Sequence, residues 1–365
     1  MKWAVVRRRL DAMGGAELYV RRLLAELVRL QHDVVLVTDA PTEVAGVANI
    51  HAIQLKGSRS AQVSQFNQQA CGLLSDLDVD CVFSLERIGQ QEVYRAGDGV
   101  HRVWLEQRRK YAPWWKRPFI GRGSLHQSLL QLEAETFNPA NTRHIIVNSK
   151  MVRREILENF PFPPERIHLI RNGVDVSRCR SGDRTGTRAR FGVRDDEFLL
   201  LFAGSGWERK GLAYVLGALR KLENPRVKLL VAGKGRRPLF PPAGVIFAGP
   251  MPDLENAYAA ADLFVFPPIY EPSANVCFEA LAAGLPVVTS ACNGAAEVIE
   301  EKVNGSVVFD PSDVNTLVKS IRFWQRRPAV RPVLTQIDLS IERNVRETLA
   351  VLELAAAERA VGRGR

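Results

Sequence analysis

Glu271 and Glu279, with seven residues between them, bracket the stretch Tyr270-Glu-Pro-Ser-Ala-Asn-Val-Cys-Phe-Glu279. The first lies in a Pro-bearing loop after the apolar run from Leu263 to Pro267. The second lies inside a predicted helix that Gly284-Leu-Pro286 ends. Two carboxylates so placed can face one crevice at different depths. A carboxylate only accepts hydrogen bonds, so the pair suits a ligand rich in hydroxyls, such as a ribose and a hexose. Upstream, Arg209-Lys210 follows a predicted strand and the turn Gly204-Ser-Gly206, and precedes a helix. Cations are disfavoured at a helix N-terminus. Beside a Gly-rich loop they suit a diphosphate leaving group, whose negative charge develops as a sugar–phosphate bond breaks.

Gly14-Gly15 ends the loop after the first predicted strand and opens a helix. Paired glycines let backbone amides approach a ligand closely, and a helix start favours an anion by roughly 0.3–1 kcal/mol. The dinucleotide fingerprint Gly-x-Gly-x-x-Gly is absent from this turn. Asp98 sits in Tyr94-Arg-Ala-Gly-Asp-Gly-Val-His101 at a strand end, where open parallel sheets bind ligands. His101 is its rival there, and an Asp between glycines is also ordinary turn chemistry. Asp76-Leu-Asp-Val-Asp80 has the look of a metal motif but precedes a strand in a polar stretch, so it reads as a solvated loop and no catalytic metal is expected.

The elements that must position these residues alternate between strand and helix, which argues for parallel sheets with crossover helices. Strands are predicted at Trp3–Val6, Val34–Thr38, Ile50–Leu55, Cys81–Leu85, Val93–Ala96, His144–Asn148 and Ile167–Ile170. A second set runs Phe198–Ala203, Val227–Ala232, Val245–Ala248, Leu263–Phe266, Val287–Thr289 and Val307–Phe309. Helices fit 210–222, 252–260, 274–283, 294–301, 312–326 and about 340–359. Between the first two strands, Ala16, Val20, Leu23, Leu24 and Leu27 keep helical spacing on one face. Residues 178–194, with six arginines and Gly182, Gly186 and Gly192, read as an exposed connection near a domain boundary.

The chain has 365 residues, enough for two domains, and 46% apolar with 25% charged residues is ordinary for a soluble globular protein. No apolar run approaches the roughly 20 residues that span a bilayer. Met1 to Val6 runs straight into Arg7-Arg-Arg9, which a signal peptide would not do. Five scattered cysteines without metal-type spacing argue for reduced thiols and a cytoplasmic setting. The net charge of +10 asks for an acidic partner without naming it. One segment, 101–122, interleaves Trp104, Tyr111, Trp114, Trp115 and Phe119 with seven Arg or Lys. That mixture suits an anionic membrane surface, suits single-stranded nucleic acid equally, and is also compatible with rings buried under a basic rim.

The 270–289 stretch resembles the paired-glutamate motif of retaining glycosyltransferases of group 1, which have the GT-B fold. Asn172-Gly-Val-Asp175, Gly204-Ser-Gly-Trp-Glu-Arg-Lys-Gly211, Val231-Ala-Gly233, Ala259-Ala-Ala-Asp262 and Asn304-Gly305 follow in that family's order. The resemblance spans about residues 170–310 well and the N-terminal half more loosely. It implies an α/β fold of two Rossmann-like, doubly wound parallel-sheet domains facing a central cleft. Residues 1–171 would form the acceptor domain, with a C-terminal helix at about 335–365 packing back on it, and 172–334 the donor domain. It further implies that Glu271 holds the donor sugar and Glu279 the ribose. Arg209, Lys210 and the amides near Asn275 and Val276 would meet the diphosphate. Gly14 and Gly15 match the family's Gly-Gly loop, and Asp98 matches the group near the anomeric carbon, so the catalytic set is Asp98, Glu271, Arg209 and Lys210.

The function so implied is metal-independent transfer of a hexose, glucose foremost, from a nucleotide diphosphate sugar (a UDP-sugar first) to a glycan or lipid-linked acceptor. The look of residues 91–137 points to lipopolysaccharide core or another cell-envelope glycan. Its place directly after Asp98 favours a membrane or acceptor role for 101–122 over nucleic acid, with peripheral attachment to the inner face of the cytoplasmic membrane. Two other functions stay open: a nucleotide-sugar epimerase of the same fold, and a non-enzymatic basic protein that binds membrane or nucleic acid.

Overall fold

The computed structural model describes residues 1–9, 15–39, 43–327 and 338–363, with the backbone alone for 15–18 and 363. It divides into two compact units, Met1–Arg171 with Ile341–Arg365, and Asn172–Ser340.

In the first unit the strands are β1 (Lys2–Val6), β2 (Asp33–Thr38), β3 (Asn49–Ala52), β4 (Cys81–Ser84), β5 (Gln91–Arg95), β6 (Thr142–Val147) and β7 (Ile167–Leu169). They form one parallel sheet in the order β3-β2-β1-β4-β5-β6-β7. Trp3-Ala-Val-Val6 is apolar at every position because helices cover both faces of such a sheet. Helices α1 (Gly15–Arg29), α2 (Arg59–Asp76), α3 (His101–Tyr111), α4 (Ser124–Thr136) and α5 (Lys150–Asn159) form the crossovers and a connecting layer. The helical stripe of Val20, Leu23, Leu24 and Leu27 is fully buried against Trp3, Val5 and Phe83. Strand order reverses between β1 and β4, and the crevice outside their carboxyl ends is where such sheets bind ligands.

The second unit begins with two short helices, α6 (Val176–Cys179) and α7 (Arg184–Arg190). Its parallel sheet runs β10-β9-β8-β11-β12-β13, with β8 (Phe198–Ala203), β9 (Val227–Ala232), β10 (Val245–Gly249), β11 (Leu263–Phe266), β12 (Val287–Ser290) and β13 (Gly305–Val308). Around it lie α8 (Leu212–Leu222), α9 (Leu254–Ala260), α10 (Asn275–Ala282) and α11 (Val314–Gln325). Here the order reverses between β8 and β11, which sets a second ligand crevice at their carboxyl ends. After this unit the last helix, α12 (Ile341–Arg363), adds Ile341, Val345, Leu352 and Ala355 to the core of the first.

Three local expectations change. Residues 178–194 are mostly exposed, as expected, but they carry α6 and α7 and are anchored rather than a loose connection. Arg184 and Arg188 donate to the carbonyls that close α9 and to Asp262, at 2.7–3.3 Å, and Arg188 is buried. Guanidinium groups at a helix C-terminus satisfy its last carbonyls, so these arginines are part of the unit's frame. The predicted helix at 294–301 is a 3₁₀ turn over Gly294–Val298, held at one end by Asn293 Oδ1 on the Ala295 amide and redirected where Glu300 N donates to Asn304. The third strand stops at Ala52 rather than Leu55.

Candidate functional site

β8 ends in Gly204-Ser-Gly206, whose two glycines have φ of +136° and +75°. The turn folds the chain back so that Lys210 lies over Gly204, where a Cβ would sit 2.8 Å from Nζ. Gly211 has φ +78°, and a Cβ there would meet the Pro267 carbonyl oxygen at 1.9 Å. Only glycine lets the segment from β8 press this closely against the segment leaving β11. Ile269 N donates to Arg209 O at 2.9 Å and completes the junction. Arg209 and Lys210 therefore stand at the reversal point of the sheet. Lys210 is pushed below the usual lysine value, first by burial; Glu271 opposes that shift and Arg209 adds to it.

Arg209 Nη2 lies 3.1 Å from Glu271 Oε2. That oxygen is buried and makes no hydrogen bond of acceptable geometry, and Ser273 Oγ two residues on is also buried without one. Backbone bonds fix the loop itself: Glu271 N donates to Cys292 O at 2.8 Å and Gly294 N to Glu271 O at 2.9 Å. Asn293 holds the next stretch, accepting from Ala274 N at 3.2 Å. The chain then enters α10, whose first amides, those of Asn275 and Val276, have no intrahelical acceptor by construction. Asn172 donates to Asn275 Oδ1 at 2.6 Å and to Ser273 O at 3.1 Å.

Glu279 is one helical turn beyond Asn275 and shares its face. Tyr258 OH donates to Glu279 Oε2 at 2.7 Å. Burial raises the Glu279 carboxyl above the ordinary value, against the lowering effects of Tyr258 and Arg178. Arg178 is itself placed by Glu255, at 3.1 Å, and by Pro252 O, at 2.7 Å. Tyr258 and Arg178 are the residues that sequence reasoning missed here. Nothing local marks them, because they reach Glu279 from other helices.

The raised carboxyl gives a testable sign. The unfolded chain keeps an ordinary Glu, so the folded protein loses stability as pH rises from that value through the raised one. Glu279→Gln does not titrate and still accepts from Tyr258. Without ligand it should melt higher than the parent at pH 7.5, with the gap closing toward the unperturbed pKa of about 4.3. Identical melting curves at both pH values would show that the carboxylate carries no such strain.

In the first unit, Gly14 lies outside the described residues and Gly15 opens α1. Asp98 is exposed on the turn between β5 and α3, which Gly99, at φ +69°, completes. His101 Nε2 is 3.0 Å from His126 Nδ1, and burial, Arg87 and His126 bring its pKa down to about 4, so it is a neutral imidazole at pH 7. Buried Glu133 accepts from the Arg102 amide at 3.1 Å and the His101 amide at 2.5 Å, and Arg87 joins it to Gly99 O at 2.8 Å. The aspartates at 76–80 precede β4, at the amino ends of the central strands and away from the carboxyl ends. Asp80 holds the Lys2 amide at 2.7 Å where β1 begins, and Asp76 ends α2. In segment 101–122, Trp114, Trp115 and Phe119 are 76%, 57% and 73% exposed, while Leu105 of α3 is buried and Val103 packs against the core.

The second unit matches the sequence model of the glycosyl transferases group 1 over residues 197–327, and the first that of glycosyltransferase family 4 over residues 13–178. An uncharacterized glycosyltransferase of Methanocaldococcus jannaschii is 34% identical over 182 residues, 45% of this chain and 46% of the relative. The chain spans about half the length of the curated relatives it matches. Among solved structures, WaaG, a glycosyltransferase involved in lipopolysaccharide biosynthesis, superposes with a TM-score of 0.76 at 20% identity, covering 98% of each chain. Anabaena Alr3699/HepE, solved with UDP and glucose, gives 0.66 at 18% identity over 96% of this chain and 99% of that one. The fold is thus α/β of the GT-B type, with two Rossmann-like parallel sheets.

Proposed function

We propose that the chain is a retaining, metal-independent glycosyltransferase that moves a hexose, glucose foremost, from a UDP-sugar to a glycan or lipid-linked acceptor of the cell envelope, lipopolysaccharide core among them. The observation that carries this reading is the second unit's crevice. There Arg209, Lys210, the first amides of α10 and two buried oxygens without hydrogen bonds meet at the carboxyl ends of β8 and β11, and Glu279 lies one turn further along α10. Among the described residues Glu271 Oε2 has only the Arg209 cation beside it and Ser273 Oγ has no hydrogen bond, so both can engage a ligand's hydroxyls. The ligand must bring hydroxyls for Glu271 Oε2 and Glu279, and negative charge for the two cations. A nucleoside diphosphate sugar brings both. The group 1 match over this unit and the relatives named as glycosyltransferases support the assignment.

In this mechanism the bond between the sugar's C1 and the diphosphate oxygen breaks while an acceptor oxygen bonds to C1. The acceptor proton passes to the departing phosphate, and UDP leaves. Arg209 and Lys210 receive the charge that develops on the diphosphate, Glu271 orients the sugar, and Glu279 fixes the ribose. Asp98, on the first unit, orients the acceptor hydroxyl. The donor is identified by a thermal-shift screen of nucleotides and nucleotide sugars. A ligand at 100 times its Kd stabilises by about 2.7 kcal/mol, and a screen in which no nucleotide diphosphate shifts the transition would overturn the assignment.

The same proposal gives the exposed rings at 114–119 a peripheral membrane role on the cytoplasmic side. Among the described residues no helix is long and apolar enough to cross a membrane. Each Lys or Arg near an anionic surface contributes about 1 kcal/mol, decaying over roughly 8–10 Å. Vesicle co-sedimentation should therefore rise with anionic lipid and fall with salt. Trp114→Ser with Trp115→Ser should weaken it at every salt concentration. Indifference of the parent to anionic vesicles at low salt would remove the membrane role.

A further inference from the structure

The connection from β9 to β10 breaks the pattern of the second unit. Parallel neighbours need a crossover, usually a helix that covers the sheet, as α8 does between β8 and β9. Residues 233–244, Gly-Lys-Gly-Arg-Arg-Pro-Leu-Phe-Pro-Pro-Ala-Gly, contain no helix. β10 is left half-buried at all five positions, and Leu239 and Phe240 are 85% and 82% exposed. The pair is nonetheless held in place. Pro238, Pro241 and Pro242 fix φ on either side of it. Arg220, in the last turn of α8, donates through Nη2 to Phe240 O at 2.6 Å. The Arg237 guanidinium lies 5.2 Å from the centre of the Phe247 ring in β10.

A lone exposed apolar residue is ordinary, but a Leu and a Phe held side by side in water on a proline frame call for a partner. Charge says which. From Arg220 to Arg237 the chain carries seven Lys or Arg and one acidic residue, Glu223. Six of the seven cations are exposed, and the seventh, Lys228, is paired with Glu197. An apolar socket on another protein would take the tip and leave the cations unused. A polyanion in solution would take the cations and leave the tip. An anionic bilayer takes both, apolar side chains at the acyl boundary and guanidinium groups at the phosphates. We propose that the second unit docks on an anionic membrane surface through residues 236–242, inserting Leu239 and Phe240, with Arg220, Arg236 and Arg237 against lipid phosphates. This contact is separate from the rings at 114–119 of the first unit, and rests neither on them nor on glycosyl transfer.

The test is co-sedimentation of the full chain with phosphatidylcholine vesicles of increasing phosphatidylglycerol content. Leu239→Ser with Phe240→Ser should lower partitioning about tenfold or more at every salt concentration, because two large side chains lose their burial. Arg236→Gln with Arg237→Gln should weaken it at low salt and change little at high salt, where the attraction to phosphate is screened. All four positions are exposed, so both variants should melt like the parent. A tip variant that partitions like the parent would overturn the proposal. So would a loss confined to Trp114→Ser with Trp115→Ser, which would leave the first unit as the only contact. A parent that ignores the vesicles would also overturn it. If that parent binds single-stranded DNA and the tip variant binds it equally, the cations serve a soluble polyanion. If it instead self-associates and the tip variant does not, the tip meets a second copy.

Discussion

Replacing Arg209 and Lys210 together by Ala should lower turnover of a UDP-sugar by several orders of magnitude in a protein that remains folded. One preorganised donor aimed at a developing anion is worth about 2.7–4 kcal/mol, or 10²–10³ in rate. The two cations serve one diphosphate, so their effects will not add simply. Both side chains are partly exposed at the end of β8, and the glycine turn that places them is unchanged by the substitution. Should the double variant unfold, Arg209→Gln alone tests the point, because its side chain lies outside the Lys210–Gly204 contact. Chelator and magnesium should both leave the parent's rate nearly unchanged. Activity abolished by chelator and restored by magnesium would show that a metal, not these side chains, carries the phosphate charge.

The two glutamates should separate binding from chemistry. Glu279→Ala removes a charged acceptor from the ribose hydroxyls, typically about 1.5–3 kcal/mol per hydrogen bond. Affinity for UDP should fall about ten- to hundredfold. Glu271→Ala should leave UDP affinity close to the parent's, because the sugar is absent from that ligand, yet cut turnover of the UDP-sugar sharply. Removing Glu271 also frees Arg209 from its ion pair, so UDP affinity rises slightly if it changes at all. Two variants that bind UDP like the parent and keep its turnover would show that the pair has been given the wrong roles.

The strands that carry the donor crevice were legible because each is an apolar run cut off by glycine or proline. Phe198–Ala203 stops at Gly204 and Leu263–Phe266 stops at Pro267, so both ends of the reversal point stand in the sequence. The helical stripe of α1 was legible for the same kind of reason, as a period of 3.6. What composition hides is the destination of a polar side chain. Arg184 and Arg188 look like the solvated arginines of a connection, and their role at the end of α9 depends on residues more than seventy positions away. The Tyr258–Glu279 bond and the Arg87–Glu133 brace under Asp98 depend on tertiary packing in the same way. The 101–122 segment was ambiguous in composition. Its geometry separates the residues: α3 turns Leu105 inward, while Pro113 and Pro118 bound and interrupt a 3₁₀ turn that leaves Trp114, Trp115 and Phe119 in solvent.

The most direct measurement is calorimetric titration of the parent with UDP and with UDP-glucose, each in chelator and in magnesium. A donor crevice built from Arg209, Lys210, Glu271 and Glu279 predicts saturable binding of both, one ligand per chain. The affinity should be indifferent to the metal, and UDP-glucose should draw on Glu271 where UDP does not. A folded protein that binds neither these nor any other nucleoside diphosphate at millimolar concentration would contradict the assignment of this chain to glycosyl transfer.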